Sequence, residues 1–329
     1  MDEANTAHMR QNALQRSDGF YCRSTILHGI AFLSIAIALA MGAAYLEAEK
    51  LVSSFVPDQP LSQHMISYAN LLLIASTFLY VVHLWVTAKA VGQLASGMAT
   101  VGAMGVTVAL LVRWFEASFL RQSGHTPLST LYEVTALFSA VTVVIYLAME
   151  KVYHTRAAGA FLMPIVVGAV LVESLLLSGE QRIPGHLVPE LKSYWMHAHI
   201  LSNFVGHGAF AIAASLGIMH LFRGRAEKRR MTEGFAMRSL PDFQRIDRLM
   251  FAAIAVGFCT YTLGEVLHVA WSYEESGKFL AWTRKEVSGL AVWSIYLTYF
   301  YGHYRHQWRG HRMAWLAIIG FVVSVLRFT

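Results

Sequence analysis

The sequence predicts an all-α, polytopic membrane helical bundle of about nine transmembrane helices, with a cytoplasmic N-terminus and the C-terminus outside. Three observations carry this reading. Hydrophobic residues make up 56% of the 329 and charged residues only 14%, where a soluble domain carries about a quarter. The mean hydropathy is +0.46. The apolar residues are also gathered into runs long enough to cross about 30 Å of hydrocarbon as helices, where backbone groups must be satisfied within the segment.

Residues 1–25 are polar and hold no short apolar stretch ending at a small-residue cleavage site, so they read as a cytoplasmic segment and not as a removable signal. The rest, 26–329, reads as a single transmembrane domain. Its apolar runs fall at 26–48, 66–88, 92–112, 128–149, 157–177, 195–222, 249–269, 287–302 and 313–328. The third run carries Ala95, Ser96, Gly97, Ala99 and Gly102, small residues that suit close helix packing.

The basic residues orient the bundle. With the N-terminus inside, 17 of the 26 Lys and Arg fall on cytoplasmic segments, as the positive-inside rule requires. The block RGRAEKRR at 223–230 is the strongest such signal, and it suits an anionic inner-leaflet surface better than nucleic acid. The net charge of +6 asks for no partner beyond the lipid bilayer. Cys22 and Cys259 form neither a CxxC pair nor a disulfide framework, so any thiol chemistry belongs to another protein. Four loops then face outward, at 49–65, 113–127, 178–194 and 270–286, and the chemistry is expected there.

Fifteen histidines are many for such a chain. Neutral imidazole ligates haem iron, and an ionisable group within a span is a candidate functional residue. Near the outer face lie His197 and His199, opening the sixth run, and His268, closing the seventh. Glu265 precedes His268 by three residues, neighbouring it on a helix and suited to orienting its ring. Near the inner face lie His28, His83 and His303. His207 sits between the two levels, on one helical stripe with Asn203 and His199.

Three segments carry a resemblance. GHTPLSTLYEV at 124–134 is similar to a GHxPLSNLYES segment, and VPELKSYWMHAHI at 188–200 is similar to VPxLxSxWLxxHV. TLGEVLHVAW at 262–271, a short loop, and WRGHRMAWLAIIGF at 308–321 complete the set. Together they resemble the CcsA/ResC family, the membrane subunit of the System II cytochrome c synthetase, within the cytochrome c assembly superfamily. The similarity runs from about residue 66 onward, which makes the run at 26–48 an addition to the family core.

The resemblance implies a haem lyase subunit that binds and delivers b-type, non-covalent haem at the outer membrane face for cytochrome c maturation, in the cytoplasmic membrane of a bacterium. Its partners would be a ResB-like subunit and apocytochrome c. It places the family's external haem-ligand histidine on His199. The family's tryptophan-rich loop, WGSYWSWDPKE, corresponds here to 276–286, where Trp282 remains and the WD pair is absent; Trp271 stands just upstream. The family's last external histidine, in a GLHSY segment, has no counterpart before Thr329, and His268 is the substitute partner for His199. His83 and His303, with His28, would serve an inner haem. Trp271 and Trp282 supply apolar surface, while Arg284 and Lys285 can pair the propionates. An alternative is a fixed b-type haem subunit passing electrons between quinone and an external multihaem cytochrome c; a third reading is a scaffold without haem.

Overall fold

A computed structural model describes residues 61–86, 88–117, 130–175, 194–228, 239–280 and 282–327, with side chains to Val172 in the third of these segments. Among the described residues there are helices and turns and no strand. Eight helices follow one another: α1 Leu61–Val86, α2 Lys89–Phe115, α3 Leu131–Tyr153, α4 Gly159–Leu175, α5 Tyr194–Lys228, α6 Phe243–Ser276, α7 Arg284–Arg305 and α8 His311–Leu326. The run at 26–48 and His28 lie outside the described residues.

Five of the eight, α1, α2, α3, α5 and α6, are long and apolar enough to cross a membrane. α4 and α8 are apolar but shorter. α7 has 22 residues, but Ser288, Ser294, Thr298 and four tyrosines dilute its apolar character.

The helices run alternately up and down, which gathers the connections at two ends. At one end, Ser239 Oγ donates to Leu84 O at 3.0 Å, Arg223 donates to Leu240 O at 2.8 Å, and Arg245 donates to Tyr153 O. This end carries 11 of the 16 described Lys and Arg and is called the basic end below. At the other, Ser62 Oγ donates to Glu116 at 2.6 Å, Arg113 pairs with Glu133 at 2.5 Å, and Arg327 pairs with Glu265 at 2.8 Å.

α5 is the central post, packed against α3, α4, α6 and α8. In its apolar window 83% of the residues are buried, against 33% in α6. The cause is in its sequence: Gly206, Gly208, Ala209, Ala211, Ala213, Ala214, Ser215 and Gly217 make it small on every side, so neighbours can approach all round it.

Two helix starts share one device. Thr130 and Glu133 form a capping box at α3, and Thr283 and Glu286 form another at α7, each pair satisfying two backbone donors that the first turn leaves open. Each glutamate also turns charge toward a second helix, Glu133 to Arg113 and Glu286 to His268.

The helix boundaries differ from the sequence reading where polar residues continue a helix past its apolar run. The run at 249–269 is the middle of the 34-residue α6, which persists through Trp271 and the polar stretch to Ser276. It stops at Gly277, whose φ of 68° is the left-handed conformation that closes helices. The outer loop expected at 270–286 therefore shrinks to 277–283, and Trp271 is a helical residue.

Candidate functional site

At the end opposite the basic one, α5 and α6 bring His199 and His268 into contact, with ring centroids 5.0 Å apart and planes inclined by 40°. Gly264 permits this approach. A Cβ there would stand 3.0–3.1 Å from the Asn203 side chain, and through this gap His199 Nδ1 donates to Gly264 O at 2.7 Å. Since the carbonyl can only accept, Nδ1 carries the proton and Nε2 holds the lone pair. Asn203 Nδ2 lies 3.2 Å from that Nε2.

One turn deeper, His207 Nδ1 donates to Asn203 O at 2.7 Å, and its ring meets Tyr261 edge-on at 5.4 Å. The stripe of His199, Asn203 and His207 is thus a buried hydrogen-bonded column along α5.

The side chain of His268 is 15% exposed. Its Nε2 faces Glu286 Oε1 at 3.7 Å, its ring lies 5.4 Å from Trp271, and its Nδ1 is buried with no hydrogen-bond partner among the described residues. The partner expected from sequence, Glu265, is engaged elsewhere: Arg327 Nη1 donates to it at 2.8 Å and to Tyr261 Oη at 2.5 Å. Position i−3 on the helix makes Glu265 a neighbour of His268, but the full positive charge of Arg327, brought in by α8, takes its carboxylate. Glu286 fills the place. Its signal in the sequence was the Thr-x-x-Glu spacing of the capping box opening α7.

The loop beyond is aromatic and exposed. Tyr273 stacks on Phe279 at 4.4 Å, and Trp282 is 68% exposed with a φ of 55°. A tryptophan in the left-handed region is strained, and that backbone holds the indole clear of the bundle. Arg284 and Lys285 are exposed in the first turn of α7. Cations at a helix N-terminus oppose the helix dipole, so helix stability does not account for them.

The inner histidines are not brought together in the same way. His83 ends α1 with its ring against Gly92, beside the Arg156 side chain. His303 ends α7 with its ring 4.5 Å from Phe251 of α6. At this end the structure adds a pair that the sequence reading missed: His220 Nε2 of α5 lies 3.4 Å from Asp247 Oδ1 of α6, and the His220 ring lies 4.9 Å from Phe243. A carboxylate, Asp247, just ahead of the apolar run that opens at Leu249 was the available signal.

Comparison with known proteins places the chain in a family. Residues 128–328 match the model of the family described as cytochrome c assembly protein. The cytochrome c biogenesis protein CcsA of Gloeobacter violaceus is 26% identical over 278 residues, with 70% of this chain and 80% of that protein covered. The CcsA of a Synechococcus species is 27% identical over 238 residues, covering 66% of this chain and 76% of its own length. The CcsA of Guillardia theta is 28% identical over 251 residues, covering 71% and 81%. No solved structure matches the chain. The match over residues 128–328 spans every helix from α3 to α8, the His199–His268 pair included, and the chain belongs to the cytochrome c assembly protein family as a divergent relative of the CcsA proteins, a multi-pass membrane protein of cytochrome c biogenesis.

Proposed function

We propose that this protein takes haem as its cargo at the end of the bundle where His199 and His268 meet, and presents it there to apocytochrome c. The observation that carries the reading is the pair itself. Two imidazoles from adjacent helices lie in contact, and one of them keeps a buried ring nitrogen with no hydrogen-bond partner among the described residues.

The donor set fits an iron porphyrin. His199 and His268 are the axial ligands, Trp271 and the exposed Trp282 offer aromatic surface, and Arg284 and Lys285 pair the propionates. With the rings 5.0 Å apart there is no porphyrin-wide gap between them, so loading must separate the pair. The Gly264 carbonyl holds His199 in one tautomer, with Nε2 as the nitrogen that meets iron once the Asn203 amide, 3.2 Å away, turns from it. His268 is held more loosely, by a 3.7 Å contact with Glu286, and is the ring that moves.

In this reading the histidine end faces outward from a bacterial cytoplasmic membrane, and about nine spans leave the N-terminus inside. The concentration of Lys and Arg at the opposite end supports that orientation. His28, His83 and His303 would hold haem on the inner side, and His207 lies between the two levels. A ResB-like subunit and a separate thiol reductant complete the reaction. The names of the curated relatives speak of biogenesis, which favours delivery over a fixed b-type redox centre serving quinone and a multihaem cytochrome c.

The test is the haem-to-protein ratio and the absorption and magnetic circular dichroism spectra of purified wild type beside His199→Ala and His268→Ala. Wild type should carry exchangeable, histidine-ligated haem, and each variant should lose most of it. Colourless wild type from haem-replete cells, or two variants that retain haem unchanged, would overturn the proposal.

A further inference from the structure

At the basic end, a groove of about 700 Å³ opens between α2 and α3, away from the histidine pair. Its mouth is cationic. Lys151 is exposed in the last turn of α3, His154 is exposed just beyond it, and Arg156 follows. His154 has a left-handed φ of 49°, and this reversal brings Arg156 back against the helix it has just left.

Arg156 is held from behind. Its Nε donates to Glu150 Oε1 at 3.0 Å, and the Glu150 carboxylate is itself fixed by Ser96 Oγ at 2.5 Å and Tyr80 Oη at 2.6 Å. Glu150 is 8% exposed, whereas the Arg156 side chain is 35% exposed. A guanidinium anchored through Nε keeps its two terminal nitrogens for another acceptor, and among the described residues those nitrogens make no hydrogen bond. The buried carboxylate thus serves as a mount. It neutralises one cation and leaves an oriented fork, with Lys151 and His154 beside it.

Below the mouth the groove is apolar. Leu147 and Val144 lie four and seven residues before Lys151 on α3, a depth of about 10 Å along the helix axis. On the α2 wall the hydroxyls are already satisfied: Thr100 Oγ1 donates to Ser96 O at 2.7 Å and Ser96 Oγ to Glu150. That wall therefore asks nothing polar of its occupant.

A cationic mouth above an apolar trough is complementary to a molecule with an anionic head and a hydrocarbon tail. We propose that this groove is a binding site for an anionic glycerophospholipid of the leaflet at the basic end, its phosphate held by Arg156 and Lys151 and the first part of an acyl chain lying along Leu147 and Val144. The site shares no residue with the His199–His268 end, though Arg156 also borders His83, and it does not depend on haem.

Native mass spectrometry of the full chain tests this, with phosphatidylglycerol and phosphatidylcholine of the same acyl chains titrated in parallel. One phosphatidylglycerol should be retained at collision energies that strip phosphatidylcholine, and raised ammonium acetate should weaken it, since the contact is ionic. Lys151→Ala with His154→Ala should lower that retention several-fold. Arg225→Ala with Lys228→Ala removes two exposed cations from the same end and should leave retention unchanged. Equal retention of the two lipids by wild type overturns the proposal without reference to any variant. So does a loss in the Arg225 and Lys228 pair as large as in the Lys151 and His154 pair, since that would mean diffuse charge and no site.

Discussion

Glu286 faces two ways: its Oε2 accepts from the Thr283 amide at 2.9 Å and caps α7, while its Oε1 lies 3.7 Å from Nε2 of His268 on α6. The start of one helix and the ring of a candidate ligand on another are thereby held by one carboxylate. Movement of the loop at 277–283 and movement of the His268 ring become linked through a single side chain.

Glu286→Gln and Glu286→Ala separate the two roles. Glutamine keeps a carbonyl acceptor for the Thr283 amide, so the helix start survives while the charge beside His268 is lost. Alanine loses both, at about 1 kcal/mol for a lost cap. Haem retention should fall in both variants and the thermal midpoint only in Glu286→Ala; glutamine retaining haem like wild type would remove the Glu286–His268 contact from the site.

Gly264 is the second lever. Gly264→Leu drives a side chain into Asn203, which would lie 3.0–3.1 Å from its Cβ. The variant should part α5 from α6, lower the thermal midpoint and abolish haem retention. Gly168 of α4 meets nothing within 4 Å, and Gly168→Ala should be neutral or stabilising by up to about 1 kcal/mol. Thermal unfolding in detergent read by fluorescence checks both.

Arg113 and Glu133 form an ion pair with side chains 2% and 0% exposed. Removing one partner leaves the other charge buried and unpaired, a loss of about 3–5 kcal/mol. Arg113→Met alone should therefore unfold well below wild type. Arg113→Met combined with Glu133→Gln, which keeps an acceptor for the Thr130 cap, should recover part of the loss in the same melting experiment.

Arg284 and Lys285 oppose the dipole of α7. Replacing both with alanine should leave the melting temperature unchanged or raise it, each cation costing about 0.3–1 kcal/mol at that position. Haem affinity, measured by titration into haem-free protein, should fall. A variant that binds haem as tightly as wild type would show that these cations do not meet the propionates.

Much of the architecture was legible without coordinates because a bilayer reduces the problem to length and polarity. Runs such as 66–88 and 92–112 could only be helices, and α1 and α2 occupy nearly those positions. The stripe of His199, Asn203 and His207 was legible for the same local reason, since a spacing of four residues lines up one helix face. Boundaries failed where hydropathy and helix formation part company. Residues 272–276 are polar yet helical, and the true stop was the conformational freedom of Gly277.

Sequence by itself determined that the chain is a helical membrane protein, which end is basic, and that His199, Asn203 and His207 share one helix face, because each of these depends on composition or on spacing within one segment. Tertiary structure alone decided who meets whom. It gave Glu265 to Arg327 and Glu286 to His268, closed the His199 and His268 rings onto one another, and mounted Arg156 on a carboxylate fixed by Tyr80 and Ser96. The physical reason is that such pairings are competitions between groups on different helices, settled by relative rotation and charge, and no segment read alone contains its competitors.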